Sequence, residues 1–251
     1  MDKTPISRHD PVDFDRDESG EQTRPITAID LFAGPGGWDV AAETLGIDTI
    51  GVEYDSAANM TRAVCGYKTI EDDVLNVEPF ASDLLIASPP CQAYSAAGKG
   101  AGREALDRVL ANIKHLAHGG DFRPEEYDDV RVPLVLTPLV WVLKMHQAGT
   151  PYRYLAFEQV PAVKPVWEEM LEVFESLGYS GEVAYLQAEA YGVPQTRKRA
   201  ILQGQLRPAV ASPCRRRPVP VADPAGAGNS WARACAPPDR QTQPTAGCPS
   251  H

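Results

Sequence analysis

Cys91 and the acids spaced around it are the residues best suited to chemistry. The thiol lies in Ser88-Pro89-Pro90-Cys91-Gln92-Ala93-Tyr94-Ser95, directly after the apolar run Asp83-Leu84-Leu85-Ile86-Ala87-Ser88. Two consecutive prolines forbid both a helix and a continued strand ladder, so the cysteine is carried out of a sheet on a stiffened turn. A covalent catalyst would hold its nucleophile in such a place. A lone cysteine serves equally well as a small buried apolar group, and residue type alone does not separate the two readings.

A second constellation begins at Ala33-Gly34-Pro35-Gly36-Gly37, which follows the apolar run 25–32. Trp38, Val40, Ala41, Ala42 and Leu45 then recur at helical spacing until Gly46. Strand, glycine turn and helix form the ligand-binding start of a doubly wound sheet. The next run, Thr49-Ile50-Gly51-Val52-Glu53-Tyr54-Asp55, places Glu53 where an acid accepts hydrogen bonds from ribose hydroxyls. A dinucleotide fingerprint would need glycine where Asp39 stands, so NAD is a poor match. The compact turn suits a nucleoside ligand without a pyrophosphate, such as S-adenosylmethionine, whose carboxylate would take the free N–H groups at the helix start. A plain tight turn before a helix is the alternative. Asp72 and Asp73, after a short third strand near 68–70, offer carboxylates on the same rim, or else a solvated turn or helix cap.

These residues need a scaffold, and the hydrophobic pattern supplies one. Strand-like runs alternate with helical ones, predicting an α/β fold: a doubly wound, Rossmann-like sheet. The fourth strand delivers Cys91, and the glycine-rich segment 96–102 suits a mobile lid. Leu106, Val109, Leu110, Ile113 and Leu116 mark an amphipathic helix, with His115 and His118 on its surface and no third metal ligand in view. Residues 119–130 read as a polar loop and 132–145 as a helix with Pro138 near an end or a kink. A fifth strand over 152–161 ends at Glu158, and Val166, Met170, Val173, Phe174 and Leu177 line the following helix up to Gly178. The stretch 181–202 reads as two strands around a turn, with Leu202 closing the last.

The chain has 251 residues and a formal net charge of -10, which argues against a general nucleic-acid binder. Any nucleic-acid contact must come from local basic clusters. Residues 1–24 are acidic and aperiodic and read as a disordered leader, 25–206 as the catalytic domain, and 207–251, rich in proline, arginine and alanine, as a disordered tail. Five cysteines without C-x-x-C spacing predict neither a disulfide framework nor a zinc site. Without an apolar span or signal peptide, a cytoplasmic address and no membrane association are expected.

Four stretches in order, Asp30-Leu31-Phe32-Ala33-Gly34-Pro35-Gly36-Gly37, Pro89-Pro90-Cys91-Gln92, Phe157-Glu158-Gln159-Val160 and Gln195-Thr196-Arg197-Lys198-Arg199, resemble the motifs of DNA (cytosine-5) methyltransferases over residues 26–203. The resemblance implies that Phe32, Gly34, Gly36, Gly37, Glu53, Tyr54, Asp73 and Pro90 line an S-adenosylmethionine site. Glu53 would hold the ribose and Asp73 the adenine amino group. It further implies Cys91 as nucleophile, Glu158 as the acid holding the cytosine, and Gln195, Arg197 and Arg199 as the groups that position a flipped base and its backbone. The implied partner is DNA, probed at a cytosine that must leave the duplex. Gln159 stands where the family usually has asparagine. After the arginine motif the family continues into a target-recognition region and a final helix. Here the tail follows instead, so the expectation is a C-terminally truncated member whose recognition comes from a separate subunit, or one that binds cofactor without turnover. The same motifs also fit cytosine in RNA.

Overall fold

The computed structural model describes residues 24–90 and 101–208, the side chains of 101–103 excepted. Cys91, Gln92 and residues 96–100 of the expected lid lie outside the described residues, as do residues 1–23 of the expected leader and nearly all of the tail; residues 101 and 102 open a helix. All described residues fall within one compact unit, Met1–Ala209.

Seven strands form one sheet in the order β3-β2-β1-β4-β5-β7-β6. They are β1 (Thr27–Leu31), β2 (Asp48–Glu53), β3 (Lys68–Glu71), β4 (Leu84–Ala87), β5 (Tyr154–Gln159), β6 (Tyr179–Gln187) and β7 (Lys198–Leu206). The first five run parallel; β7 is antiparallel to both β5 and β6. The helices are α1 (Gly37–Thr44), α2 (Ser56–Cys65), α3 (Ala101–Ala117), α4 (Thr137–Gln147) and α5 (Lys164–Ser176). Pro138 sits in the first turn of α4, where its missing N–H costs nothing. Among the described residues no helix is long and apolar enough to cross a membrane.

Side chains alternate across β1, so Ile29 and Leu31 face one side and Ala28 and Asp30 the other. The first side carries the main core: Ile29, Leu31, Leu85, Leu155 and Phe157 pack under Val109, Ile113, Leu139, Trp141, Trp167 and Phe174 of α3, α4 and α5. The second side is covered by α1 and α2, as right-handed crossovers in one direction require. It is built unlike the first. Asp30, Asp39, Asn59 and Arg62 are buried there, while Met60 and Val64 of α2 are 72% and 90% exposed.

Two local outcomes differ from the sequence reading. Helix α2, not anticipated, is started by Asp55, whose Oδ1 accepts from the Ala58 N–H at 2.8 Å, and ended by Gly66 at φ 78°. Strand β7 runs on to Leu206 rather than ending at Leu202. Gly204 pairs with both Leu155 and Gly181, and its lack of a side chain lets Leu155 pack close.

Candidate active site

The strand order reverses between β1 and β4, and in open α/β sheets ligands bind in the crevice beyond the strand ends at that point. A cavity of about 390 Å³ opens there, within the range of small-molecule sites. Its wall takes Phe32 from the end of β1, Glu53 and Tyr54 from β2, Asp72 and Asp73 from β3, and Ser88 and Pro90 from β4. Five of the eight expected cofactor residues, Phe32, Glu53, Tyr54, Asp73 and Pro90, therefore meet in one place.

Phe32 has φ 61°, a left-handed conformation rare for a bulky residue. Strain of this kind persists where surrounding structure fixes it, and here it turns the chain from β1 into the glycine loop. Gly34 and Gly36 follow at φ 54° and 108°. A Cβ on Gly36 would lie 2.5 Å from the Tyr67 ring, so glycine is required there on two counts.

Glu53 is 8% exposed and accepts from the Gly34 N–H at Oε2 (2.8 Å) and from the Asp55 N–H at Oε1 (2.7 Å). Gly34 does not line the cavity wall; it is tied to it through this carboxylate. Each carboxylate oxygen has a second lone pair, so Glu53 keeps acceptors for ribose hydroxyls. Asp73 accepts from the Leu75 N–H at 2.9 Å, and Asp72 from the Asp73 N–H and the Asn76 amide, so both acids also shape the β3 turn. The apolar walls (Phe32, Val52, Val74, Leu75, Pro90) suit a flat base and the acids suit a cationic ligand carrying hydroxyls. The residues present thus fit S-adenosylmethionine.

Sequence reasoning missed part of this wall. Val130, Arg131 and Leu134 also line it, from a stretch read as loop and helix start. Arg131 is held by Asp129, donating from Nε and Nη2 at 2.9 and 2.7 Å, and these bonds bring the Asp129 carboxyl down to about 2. An Asp-x-Arg spacing was the available signal. Beneath the glycine loop, the buried Asp39–Arg62 ion pair was also missed; nothing in a helix pattern announces an inward-facing arginine.

The remaining expected residues gather at the ends of β5 and β7. Arg199 Nε lies 2.5 Å from Glu158 Oε1, and Arg197 Nη2 lies 3.9 Å from the same oxygen. The β5–β7 pairing aligns Glu158 with Ile201, which sets Arg199 diagonally across from Glu158 on one face of the sheet. Gln195 lies in the connecting turn, its N–H donating to the Val193 carbonyl at 2.8 Å. Gln159, buried, donates to the Pro89 carbonyl at 2.6 Å, and its Oε1 accepts from the Val160 N–H. Glutamine therefore does fill this position, joining the strand that carries Glu158 to the turn that leads to Cys91. His115 and His118 are exposed, and among the described residues no cluster of three metal-ligating side chains occurs.

A doubly wound sheet with a glycine turn after β1, an acid ending β2 and a cavity at the switch point defines a Rossmann-like fold of the kind shared by S-adenosylmethionine-dependent methyltransferases. The family profile described as C-5 cytosine-specific DNA methylase matches residues 26–111 and 155–223, and the chain belongs to that family. Type II methyltransferase M.XorII of Xanthomonas oryzae pv. oryzae is 31% identical over 198 residues, covering 72% of this chain and 41% of that protein. M.AplI of Arthrospira platensis is 29% identical over 184 residues, 69% of this chain and 44% of that one. The chain thus spans less than half the length of these relatives. Dnmt2 methyltransferase of S. pombe shares the fold, with TM-score 0.52 at 16% identity over 73% of this chain and 50% of its own. Val130, Arg131 and Leu134 fall in the segment between the two matched regions.

Proposed function

We propose that this chain carries the catalytic half of a DNA cytosine-5 methyltransferase acting through a covalent Cys91 adduct on a flipped base. The observation that carries the reading is the assembly Glu158–Arg199 beside the Gln159–Pro89 bond. It brings the acid expected to hold the cytosine next to the turn that leads to the expected nucleophile. S-adenosylmethionine, when bound, supplies an electrophilic methyl group on a sulfonium. Cytosine C5 is too weak a nucleophile to take it unaided. Addition of the Cys91 thiolate to C6 pushes electrons through the ring onto C5 and N3, and Glu158 hydrogen-bonded at N3 and the exocyclic amine stabilises the charge that develops. After C5 gains the methyl group, loss of its proton and expulsion of Cys91 restore the aromatic ring. Arg197 and Arg199 hold Glu158 in place and offer the cationic contacts a displaced nucleotide needs.

Recognition of a target sequence belongs, in this reading, to a further element of the enzyme that covers an exposed face of this unit. Val40, Ala41 and Thr44 of α1 and Ala57, Met60, Thr61 and Val64 of α2 face outward at i, i+3, i+4 and related spacings, with Glu43 of α1 the one charged residue exposed on these two helices. An apolar stripe across two adjacent helices is the kind of surface another element covers.

The test is trapping. DNA containing 5-fluorocytosine, with S-adenosylmethionine, should give a covalent complex because fluorine at C5 blocks the final elimination. Cys91→Ala should abolish it while cofactor binding survives. An undiminished adduct with Cys91→Ala sinks the assignment. An adduct on RNA but not DNA moves the substrate class, and cofactor binding without any adduct leaves a binding module.

A further inference from the structure

Arg62 is fully buried under the glycine loop, and its donors are all engaged. Nη1 and Nη2 donate to the two oxygens of Asp39 at 2.7 and 3.0 Å; Nε donates to Thr69 Oγ1 at 2.8 Å, Nη2 to the Lys68 carbonyl at 3.2 Å, and Nη1 to the Gly34 carbonyl at 3.5 Å. The guanidinium also lies 5.7 Å from the centre of the Tyr67 ring, the ring that packs against Gly36. Room is made for it at Gly51, where a Cβ would fall 2.1 Å from Nη2. Asp39 belongs to the first turn of α1, directly after the loop. The N–H of Gly34 goes to Glu53 and its carbonyl to Arg62, so the two peptide groups that flank its Cα are each held.

A buried ion pair is a poor device for stability, since apolar residues of similar volume usually do as well or better. What it supplies here is a fixed position for both ends of one loop. We infer that Arg62 is a positioning residue for cofactor binding, holding Gly34 and Asp39, and with them the loop 34–37, in the geometry that receives S-adenosylmethionine. The inference rests on the reading of that loop as part of the cofactor site. A lysine could neutralise Asp39 but could not reach Asp39, Gly34 and Thr69 together, because it lacks the planar fork.

Three variants of the full chain separate positioning from mere support: Arg62→Lys, Arg62→Met paired with Asp39→Leu, and Asp39→Asn. Amide hydrogen exchange is measured without cofactor, thermal unfolding alongside it, and S-adenosylmethionine affinity by calorimetry. The paired apolar variant should unfold within a few degrees of the parent, yet exchange the amides of Gly34, Gly36 and Gly37 at least tenfold faster and bind cofactor at least tenfold more weakly. Arg62→Lys, which keeps the charge, should show the same two changes in smaller measure, as should Asp39→Asn. If the paired variant does not fold, Arg62→Lys decides. Parental exchange and affinity in a folded variant overturn the inference. Faster exchange with unchanged affinity also overturns it, while leaving the loop's anchoring intact. If the parent itself binds no S-adenosylmethionine, the cofactor reading fails and takes the inference with it; the exchange result then still reports on the clamp alone.

Discussion

The Gln159 amide donates to the Pro89 carbonyl at 2.6 Å across the ends of β5 and β4. Both residues neighbour ones given roles in the proposed function: Glu158 precedes Gln159, and Pro90 and Cys91 follow Pro89. One hydrogen bond thus joins the strand that carries the proposed acid to the turn that precedes Cys91. Gln159→Leu would leave that buried carbonyl without its donor, a loss of about 1–3 kcal/mol. Denaturant unfolding should show this, and trapping of 5-fluorocytosine DNA should slow. Gln159→Asn, one methylene shorter, should recover part of both. Unaltered trapping by a destabilised Gln159→Leu protein would reduce the bond to a structural one.

Glu53 connects two functions. Its carboxylate holds the Gly34 and Asp55 N–H groups and faces the cavity. Charge-assisted hydrogen bonds of roughly 1.5–3 kcal/mol translate into about a ten- to hundredfold loss of S-adenosylmethionine affinity for Glu53→Ala. Glu53→Gln keeps one acceptor and should lose less. Calorimetry with unchanged affinity for Glu53→Ala would move the cofactor elsewhere.

Much of this site was legible because its parts are local. The glycine turn, the double proline before Cys91 and the acids at the ends of β2, β3 and β5 announce themselves within a few residues, and the strand–helix alternation fixes which rim they share. What stayed hidden is tertiary. Helix α2 turns Asn59 and Arg62 inward and Met60 and Val64 outward, so its apolar stripe points away from the sheet, although Asp55 and Gly66 were visible caps. Arg131 reaches the cavity only because the segment after Tyr127 returns to the rim that also carries Tyr54, and no spacing in the chain encodes that return. The extension of β7 past Leu202 depends on Gly204 meeting Leu155, a contact between strands nearly fifty residues apart.

Asp30 should make stability depend on pH. Both of its carboxylate oxygens are buried without a hydrogen-bond partner. Burial pushes its carboxyl well above the usual carboxylate range; Asp39 and Glu53 push the same way and Arg62 opposes them. Folding therefore favours the protonated form. The contribution is fully present below the unfolded value of about 3.9 and is lost as pH rises through the folded one. Asp30→Asn, neutral at every pH, should remove that slope. It should unfold at a higher temperature than the parent near neutral pH, by roughly 2–4 °C for each kcal/mol gained, with the difference shrinking toward pH 4. Parallel profiles for the two proteins would show that Asp30 is ionised in the folded state.

The exposed stripe on α1 and α2 makes the last prediction. Val40, Met60 and Val64 present large apolar side chains to solvent, and Val64 is 90% exposed. Uncovered, such a surface favours self-association and dye binding. Replacing Met60 with glutamate and Val64 with lysine removes both large residues of α2 and places opposite charges four positions apart on one helix, in the orientation that supports helices modestly. The double variant should bind less of a hydrophobic dye and sediment closer to the monomer. Its S-adenosylmethionine affinity should stay within about twofold of the parent, since neither side chain points toward the cavity. If a second chain completes the enzyme over this stripe, the same variant should lose that chain while keeping the cofactor. Equal self-association in parent and variant would mean that the stripe is not what brings molecules together, and the argument for a covering partner would lose its surface.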